Sequence, residues 1–579
     1  MSAVAPLQIV RRASGEAQAG LDEALHPVLR RIYAARGIVH ASQLGHRLTA
    51  LLPVSSLDAV EAAAELLDEH RRRGGLVLVV GDFDADGATS TALIVRALRG
   101  WGFARVDFLV PNRFEFGYGL TPEIVALAQQ RAPSLIVTVD NGISSNAGVT
   151  AARAAGIDVL ITDHHLPAAV LPPANVIVNP NVAGSRFASR ALAGVGVAFY
   201  VMIALRRRLE QAGALPAGAS ASADLLDLVA LGTVADVVPF DANNRILVAQ
   251  GLARIRAGRC VPGISALLQI ARRDRAGLVA GDLGFAVAPR LNAAGRLTDM
   301  SIGIRCLLAD DPGEAAALAL ELDALNSERR SIEARMQAEA RSAIRSLRDE
   351  ASGERRAGVC LYDPGWHQGV VGLVASRVKE RLRRPVIAFA PADDGTLRGS
   401  ARSIPGIHIR DVLDAIAARD GALIHRFGGH AMAAGLTLPA ASLDTFARAF
   451  DAECARSLAR RGSPDVIETD GELSDPELAL PTAQALRDGG PWGPGFPEPL
   501  FDGCFRIDSA RVVGERHLKL KLAAPEGRGQ FDAIAFNFID EAERAPMPTG
   551  VARLVYRLDS NEYLGERRLQ FIVEHLLPP

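Results

Sequence analysis

Carboxylate side chains follow short apolar segments at several points of this sequence, and the first such stretch is the richest. Residues 82–87 read Asp-Phe-Asp-Ala-Asp-Gly and come directly after the apolar run at residues 76–80. Burying carboxylates at the exit of a strand is unfavourable unless a cation lies between them. Oxygen ligands suit hard divalent ions such as Mg2+ and Mn2+. The stretch therefore predicts a metal site at the carboxyl edge of a sheet, where open α/β folds place their sites.

The same acidic pattern also opens the calcium loop of an EF-hand. That loop requires a glutamate at its twelfth position and a preceding helix. Counted from Asp82, the twelfth position is Leu93, and the preceding segment has the pattern of a strand. An EF-hand is therefore excluded, while an acidic surface turn stays open as the second interpretation of this stretch.

Two further polar groups follow apolar strands. Asp140 comes after residues 135–139 and before Asn141-Gly142, a position where an aspartate is as often a helix cap or turn former as a ligand. Asp163, His164 and His165 come after residues 159–162. Because neighbours in a strand point to opposite faces, we expect one histidine to bind metal and the other to be a core residue, unless the chain turns there.

Asp236 is an isolated carboxylate within an apolar stretch, so a metal or a cationic partner is expected beside it. Taken together, the strand-end groups and this aspartate supply enough ligands for two metal ions. Two-metal sites stabilise both the attacking and the leaving oxygen in phosphoryl displacement.

The elements that must position these residues form an alternating pattern. Candidate strands alternate with helical segments and predict a mostly parallel sheet, continued by a mainly helical region at 190–300. The candidate strands are residues 76–80, 106–110, 135–139, 159–162 and 176–178. Residues 311–350 carry apolar side chains at helical spacing without internal Gly or Pro after the start, which predicts one long connecting helix. A second α/β region and a C-terminal β-barrel follow.

Length and composition set limits on the class of protein. A chain of 579 residues is too long for one core and predicts roughly three or four domains. The formal net charge of -2 gives no overall basic signature, so any nucleic-acid site must be a local groove. The five cysteines are scattered and form no CxxC pair, which fits a reducing compartment. With no signal peptide or membrane span in the pattern, a cytoplasmic protein is expected.

These motifs, in this order, resemble those of the DHH phosphoesterase superfamily and, within it, the RecJ family of single-strand-specific 5′→3′ DNA exonucleases. The resemblance extends over nearly the whole chain. It includes the motifs at 111–114 (Pro-Asn-Arg-Phe), 289–296 (Pro-Arg-Leu-Asn-Ala-Ala-Gly-Arg), 399–403 (Gly-Ser-Ala-Arg-Ser) and 428–430 (Gly-Gly-His).

The resemblance implies an α/β fold: a parallel-sheet DHH domain, a long helix, a smaller α/β DHHA1 domain and a C-terminal OB-like barrel. The expected bounds are an N-terminal segment at 1–50, the DHH domain at 51–310, the helix at 311–350, the DHHA1 domain at 351–462 and the OB domain at 463–579.

The resemblance also implies metal ligands, with two divalent ions, Mn2+ or Mg2+, as cofactors. Asp84, Asp140, His164 and Asp236 would ligate one ion, and Asp82 with the bridging Asp140 would ligate the other. His165 would face the scissile phosphate, and Asp163 would orient a histidine. Some superfamily members have a histidine four residues before the first aspartate; Leu78 occupies that position here, so one ion would lack a ligand.

Recognition of a 5′ end is implied for residues in loops of the two α/β regions. The residues expected to bind substrate are Arg113, Arg290, Asn292, Arg296, Ser400, Arg402, Gly429 and His430. Arginine can clamp a phosphate through two hydrogen bonds, although a surface ion pair is the commoner fate of any single arginine. Phe114, Phe116 and Tyr118 would either stack on bases or pack in the core of their turn.

The implied activity is metal-assisted hydrolysis of single-stranded DNA to 5′ mononucleotides in DNA repair and recombination. A monomer is expected, with single-stranded DNA, a RecQ-like helicase and a single-strand-binding protein as partners and no membrane association. Two alternatives were weighed: a DHH phosphodiesterase for short oligonucleotides or cyclic dinucleotides, and an inactive binding protein on the same scaffold. The added helix and barrel favour polymeric DNA, and the intact acidic set favours an enzyme.

Overall fold

The computed structural model describes residues 8–13, 21–111, 119–350, 356–392, 395–460, 466–514, 516–524, 529–538, 547–563 and 566–578. Within them the chain divides into two compact units. The first takes in Met1–Leu291, Met300–Ala319 and Asp465–Pro579, and the second takes in Asn292–Asp299 and Leu320–Pro464. The C-terminal region therefore groups with the N-terminal half and not with the segment that precedes it in sequence.

The described residues that precede the sheet contribute one strand and two α-helices: β1 (Gln8–Arg11), α1 (Pro27–Ala35) and α2 (Val60–Arg73). Pro27 stands at the first position of α1, where its missing N–H costs nothing, and Nδ1 of His26 accepts a hydrogen bond from the N–H of Val28. Helix α2 ends at Gly74, whose positive φ of 67° suits a helix C-cap.

A parallel five-stranded sheet with the order β3-β2-β4-β5-β6 forms the framework of the first unit. Its strands are β2 (Leu76–Gly81), β3 (Arg105–Leu109), β4 (Leu135–Val139), β5 (Asp158–Thr162) and β6 (Val176–Val178). Strands β2 and β4 are buried throughout, as expected for apolar runs in a sheet covered on both faces. The intervening helices are α3 (Ala85–Gly100), α4 (Pro122–Gln129) and α5 (Asn146–Ala154). The predicted parallel sheet is thus confirmed.

The region after the sheet is helical, as predicted. Its helices are α6 (Gly194–Gln211), α7 (Leu226–Ala235), α8 (Ala242–Arg256), α9 (Pro262–Ile270), α10 (Ala280–Asp282), α11 (Ala288–Leu297) and α12 (Ser301–Leu308). A π-helical turn, Leu283–Val287, joins α10 to α11. Helix α6 is largely buried, which explains its long apolar sequence without a membrane. Among the described helices, none combines the length and the apolar character that crossing a membrane requires.

The long helix is α13 (Pro312–Glu350), with 39 residues. Asp311 precedes it and accepts a hydrogen bond from the N–H of Glu314 through Oδ1, which satisfies one of the free donors of the first turn. The division between the two compact units falls within this helix, between Ala319 and Leu320.

The second unit contains a mixed five-stranded sheet with the order β10-β11-β9-β8-β7, in which only β7 and β8 are parallel. Its strands are β7 (Val359–Tyr362), β8 (Val386–Pro391), β9 (Thr396–Arg402), β10 (Arg426–Gly429) and β11 (Ala433–Pro439). Its helices are α14 (Val371–Leu382), α15 (Ile409–Arg419) and α16 (Leu443–Arg460). The core on one side of the sheet includes Phe389, Phe446 and Phe450, all fully buried.

The C-terminal region forms a closed barrel with the order β13-β14-β15-β17-β16. The elements here are β12 (Val466–Thr469), α17 (Leu480–Asp488), β13 (Phe501–Val513), β14 (His517–Ala523), β15 (Gln530–Ala535), β16 (Gly550–Tyr563) and β17 (Glu566–Leu577). The buried rings of Phe505, Tyr556 and Phe571 pack against one another inside it. The predicted small β-barrel is confirmed.

Residues near the N-terminus fasten the barrel region, and we call this arrangement the N-terminal clasp. Strand β1 pairs in parallel with β12. Nη2 of Arg11 lies 2.8 Å from Oδ2 of the fully buried Asp502. Nη1 of Arg36 lies 2.7 Å from Oδ1 of Asp470, and both side chains are nearly inaccessible to solvent. The N-terminal segment therefore holds residues of the chain that follow more than 400 positions later.

Candidate metal centre

The first acidic stretch lies where β2 leads into α3, as its sequence predicted. Asp84 is the N-cap of α3, because its Oδ1 accepts hydrogen bonds from the N–H groups of Asp86 (2.9 Å) and Gly87 (3.0 Å). Asp82 is buried beside it. A Cβ at Gly87 would lie 2.6 Å from the carbonyl oxygen of Asp82, so glycine is needed for this close approach. The turn therefore holds three carboxylates within one short segment.

Asp140 follows β4 and lies at the centre of the cluster. Its φ of 61° is in the left-handed region, which is uncommon for a residue other than glycine. A Cβ built at Gly194, the first residue of α6, would lie 2.8 Å from Oδ1 of Asp140, so α6 begins against this carboxylate. Burial, with the charges of Asp86 and Asp84, raises the pKa of Asp140 well above its ordinary value. A bound cation would reverse that shift.

Asp163 follows β5 and holds both histidines through hydrogen bonds. Oδ1 of Asp163 accepts a hydrogen bond from Nδ1 of His165 (2.8 Å) and from the backbone N–H groups of His164 and His165, and Oδ2 accepts one from the N–H of Ile143. Burial raises the pKa of Asp163. The hydrogen bond from His165 and the positive charge of that ring outweigh burial, so the pKa of Asp163 lies below its usual value. This geometry agrees with the expected role of orienting a histidine.

The two histidines both face the cluster, because the chain has left the strand before it reaches them. Their ring centroids are 4.5 Å apart. Nε2 of His164 lies 3.1 Å from Oδ1 of Asp140, and Nδ1 of His165 lies 3.9 Å from the same atom. His165 is therefore not a core residue packed away from the cluster, and which of the two histidines binds metal stays a prediction. Burial lowers the pKa of His165, but the hydrogen bond and charge of Asp163, with the charge of Asp82, outweigh it and raise the pKa to about 9.

Asp236 reaches the cluster from the end of α7, where it is the C-cap residue. Its Oδ2 is buried and lies 3.4 Å from Nε2 of His164. Burial, with the charges of Asp86 and Asp84, raises the pKa of Asp236 well above its ordinary value. The expectation that a metal or a cationic partner lies beside this aspartate stays a prediction.

Sequence reasoning assigned to Asp86 only the shaping of the turn into α3. In the structure this residue also binds the first turn of α6. Its carboxylate accepts hydrogen bonds from the N–H groups of Gly194 (2.7 Å) and Val195 (3.0 Å) at the start of α6. Burial, with the charge of Asp84, raises the pKa of Asp86 to about 7. The sequence signal for this role was the presence of a third aspartate, Asp86, in the acidic stretch. Its partners could not be identified from the sequence, because they lie more than 100 residues away.

Asn179 and Asn181 were also missed. Nδ2 of Asn179 donates to the carbonyl oxygen of His165 (2.9 Å), and Nδ2 of Asn181 donates to that of His164 (2.6 Å). They fix the backbone that carries both imidazoles. The signal for them was present, because these polar residues follow directly after the fifth strand, as the ligands follow the earlier ones.

Side-chain atoms of these residues form three groups, in each of which the ligand atoms lie within 4.8 Å of one another. The groups are Asp82, Asp84 and Asp140; Asp140, His164 and His165; and Asp86, His164 and Asp236. Asp140 and His164 are each shared by two groups. Buried carboxylate oxygens and imidazole nitrogens at this density fit divalent cations such as Mn2+ and Mg2+. How the ligands divide between two ions stays a prediction.

In the second unit, the predicted phosphate ligands Ser400 and Arg402 lie together on β9. Nη1 of Arg402 donates to Oγ of Ser400 (2.9 Å), and burial lowers the pKa of the guanidinium. A Cβ at Gly372, in the first turn of α14, would lie 2.8 Å from Nη2 of Arg402 and 3.0 Å from Oγ of Ser400. A buried guanidinium, a hydroxyl and a helix N-terminus are together suited to an anion.

The remaining predicted substrate ligands divide into two groups. Arg290, Asn292 and Arg296 all lie on α11; Nη1 of Arg290 donates to the carbonyl oxygen of Ala286, and Nη1 of Arg296 donates to that of Gly369 (3.3 Å). Gly429 is the last residue of β10 and His430 begins the turn to β11, where the N–H of His430 donates to the carbonyl oxygen of Ala433 (2.8 Å). Their contact with substrate stays a prediction.

Gly429 has a φ of 143°, and a Cβ there would lie 2.4 Å from the carbonyl oxygen of Ala433. The turn itself therefore requires glycine at this position. Arg113, Phe114, Phe116 and Tyr118 lie outside the described residues.

Comparison with known proteins agrees with this geometry. Residues 76–233 match the DHH family, N-terminal domain, residues 356–456 match the DHHA1 domain, and residues 469–575 match the RecJ OB domain. The single-stranded-DNA-specific exonuclease RecJ of Escherichia coli (strain K12) is 52% identical, over 98% of this chain and 99% of its own. The chain belongs to the RecJ family. The predicted family and the α/β architecture with DHH, DHHA1 and OB domains are confirmed.

Solved structures of RecJ family members resemble the whole chain. The structure of RecJ from Thermus thermophilus in complex with Mn2+ has a TM-score of 0.80 and 33% identity, and covers 100% of this chain and 80% of that one. The Mg2+ complex from the same organism has a TM-score of 0.74 and 30% identity, over 99% of this chain and 78% of that one. Divalent metal binding by those RecJ proteins accords with the donor set found here.

Proposed function

We propose that this chain is a metal-dependent exodeoxyribonuclease that degrades single-stranded DNA from its 5′ end and releases 5′ mononucleotides, in DNA repair and recombination. The convergence of Asp82, Asp84, Asp140, His164 and Asp236 at one edge of a parallel sheet carries this proposal. The RecJ relatives, at up to 52% identity over nearly the full chain, are named as exonucleases specific for single-stranded DNA.

In the proposed site, Asp84, Asp140, His164 and Asp236 hold one divalent ion, and Asp82 with Asp140 holds the other. Bound Mn2+ or Mg2+ would supply Lewis acidity toward phosphate oxygens and lower the pKa of water. The chain contributes the placement of these ligands, which α3, α6 and α7 fix from three directions.

His165 is the proposed catalytic donor at the scissile phosphate, and Asp163 is its positioning partner. In the metal-free protein the hydrogen bond and charge of Asp163 raise the pKa of His165 to about 9, which favours the protonated imidazole. Nδ1 of His165 is held by Oδ1 of Asp163, which fixes the orientation of the ring beside the cluster. A protonated ring would offset the negative charge of the phosphate.

Recognition of the 5′ phosphate is proposed for Ser400 and Arg402, supported by the adjacent N-terminus of α14. The other proposed substrate ligands are Arg113, Arg290, Asn292, Arg296, Gly429 and His430. The OB barrel would extend the track for single-stranded DNA without reading its sequence.

The proposal extends to the setting in which the enzyme acts. We propose a monomer in the cytoplasm, with a RecQ-like helicase and a single-strand-binding protein as partners that expose and present the strand. Support for a reducing compartment comes from the five cysteines, all of which are free thiols.

The activity is tested by digestion of 5′- and 3′-labelled single strands, blunt duplexes and short RNA, with Mn2+ or Mg2+, by the wild type and Asp140→Ala. We expect mononucleotide release from the 5′ end of the single strand and loss of release in the variant. Preference for the short RNA over the single-stranded DNA would support the rival phosphodiesterase for short oligonucleotides.

A matched control is Asp227→Asn. Asp227 lies on α7 and, like Asp140, is a buried aspartate. Its carboxylate accepts hydrogen bonds from the N–H groups of Leu228 and Val261 and lies outside the ligand groups. The folded fraction of this variant should keep wild-type activity. Equal activity of Asp140→Ala and wild type would refute the metal assignment.

A further inference from the structure

Large apolar side chains are exposed immediately after the metal-ligand candidates. Leu166 and Val170 follow the two histidines and are 61% and 70% exposed. Val237 follows Asp236, is 65% exposed and has a φ of 62°. A β-branched residue in the left-handed region is strained, and such strain concentrates at functional sites. The surroundings of the metal centre are therefore apolar at points where a soluble surface is usually polar.

Phe285 is the most exposed of these side chains, at 83% of its surface. It lies in the π-helical turn Leu283–Val287. Such turns are rare in proteins overall, and those that occur are often found at functional sites. The flanking residues Leu283, Ala286 and Val287 are buried, so the turn is anchored while the ring of Phe285 projects into solvent.

The turn packs against the helix that delivers Asp236. A Cβ at Gly284 would lie 3.2 Å from Cγ1 of Val234, two residues before Asp236. The turn also leads directly into α11, which carries the proposed substrate ligand Arg290. Phe285 thus belongs to a turn of the first compact unit that packs against the helix of one metal-ligand candidate and leads into the helix of a phosphate-ligand candidate.

We propose that Phe285 is a stacking platform for a nucleobase of the single strand, close to the bond that is cut. This inference rests on the proposed function and adds a specificity determinant to it. An unpaired base presents an apolar π-face that an exposed aromatic ring can cover, and stacking of this kind tolerates any sequence. In a duplex those faces are already stacked, so the platform favours single strands.

The alternative occupant of an exposed phenylalanine is a partner protein. The place of the turn favours the nucleobase, because the turn packs against the helix that ends at Asp236 and leads into the helix that carries Arg290. The two occupants are distinguished by the effect of Phe285 substitutions on KM. That effect depends on a base at one position of the substrate only if the ring stacks on a nucleobase.

The test measures release of the first nucleotides under steady-state conditions for the wild type, Phe285→Ala, Phe285→Leu and Phe285→Trp. The substrates are an ordinary single strand and strands with one abasic residue at each of the first four positions. We expect Phe285→Ala and Phe285→Leu to raise KM about tenfold with kcat nearly unchanged, and Phe285→Trp to restore the wild-type KM.

On the strand whose abasic residue removes the stacked base, wild type and Phe285→Ala should have the same KM. An equal loss on every strand, or full activity of Phe285→Leu, would overturn the proposal, as would no loss in Phe285→Ala. Leu320→Ala, at another exposed apolar residue, is the control and should match the wild type. If the wild type itself does not degrade single strands, the proposed function is refuted. If the wild type degrades them but the Phe285 variants behave like it, only the stacking proposal is refuted.

A protein-docking role would appear as unchanged kinetics in Phe285→Ala, and that result counts against stacking. Folding does not confound the test, because the ring is almost fully exposed and its removal leaves no cavity. Thermal unfolding of each variant should coincide with that of the wild type.

Discussion

Two sets of buried aspartates in the first compact unit differ in what balances their charge. In the metal centre, Asp86, Asp140 and Asp236 face one another, and burial with mutual repulsion raises the pKa of each. In the N-terminal clasp, Asp502 accepts hydrogen bonds from Arg11, Arg553 and Thr469. Burial raises its pKa, but these hydrogen bonds outweigh burial and lower the pKa to about 2.

The difference teaches that burial of a carboxylate is not by itself a sign of function. Where guanidinium groups meet the carboxylates, the chain supplies its own cations and the cluster fastens the fold. Where the carboxylates meet each other and an imidazole, the cation must come from solution. The direction of the pKa shift separates Asp502 of the clasp from Asp86, Asp140 and Asp236 of the metal centre.

The clasp should be the more sensitive of the two sets to loss of a partner. Arg36→Met leaves the buried Asp470 without its closest cation, and we expect the free energy of unfolding to fall by about 3–5 kcal/mol. Denaturant titration measures this loss. Arg207→Met, which breaks an exposed pair with Glu61, is the control and should cost less than ~1 kcal/mol. A loss as small as that of the control would show that the clasp does not fasten the barrel.

The metal centre should respond in the opposite sense. Asp140→Asn removes a shared ligand, so we expect activity to fall by more than ~100-fold. The same change removes repulsion between carboxylates, so the metal-free variant should unfold at the same temperature as the wild type or higher. Nuclease assays and thermal unfolding in a chelator measure the two effects. A large drop in metal-free stability would place Asp140 among the structural aspartates.

Stability of the metal-free protein should decline as the pH rises from about 4 to about 7. The pKa of Asp86 is about 7 in the folded state and ~3.9 in the unfolded chain. Between these values the folded state binds a proton that the unfolded chain does not, so the free energy of unfolding falls as the pH rises through this range. Mn2+ binding only to the folded state should restore stability, by about 2.7 kcal/mol at 100 times its Kd. Thermal unfolding with and without Mn2+ across this pH range measures both. A flat metal-free profile would contradict the repulsive cluster.

Asp502 should show the reverse dependence and the smallest effect. Its pKa is lower in the fold than in the unfolded chain, so its stabilisation is complete above about pH 4 and is lost as the pH falls toward 2. Asp502→Asn should therefore cost about 1–3 kcal/mol at pH 7, with the difference from wild type shrinking below pH 4. Denaturant titrations at pH 7, 4 and 3 provide the comparison. A difference that grows on acidification would refute the assignment.

The elements around the metal centre could be predicted because their signals are local. Each strand is a short apolar run, and each ligand group follows directly after one, so the edge shared by parallel strands brings Asp84, Asp140 and His164 together. Asp236 was found from its isolation in an apolar stretch. The structure places it at a helix end and not on the sheet.

Contacts between distant segments could not be predicted. Asp86 holds the first amides of α6, and nothing in its own neighbourhood names those partners. Strand β1 has only four residues, and its pairing with β12 depends on side-chain contacts with Asp470 and Asp502 that no periodicity reveals. The exposure of Phe285 depends on a π-helical turn, which has no sequence signature of its own.

The N-terminal clasp has a consequence for synthesis of the protein. Arg11 emerges from the ribosome first, yet Asp502 follows 491 residues later. At about 5–20 residues per second, tens of seconds pass before the partner exists. During that interval β1 has no strand to pair with, and its unpaired backbone is a site for wrong association. Residues made early are thus fastened late, when synthesis of the barrel region supplies their partners.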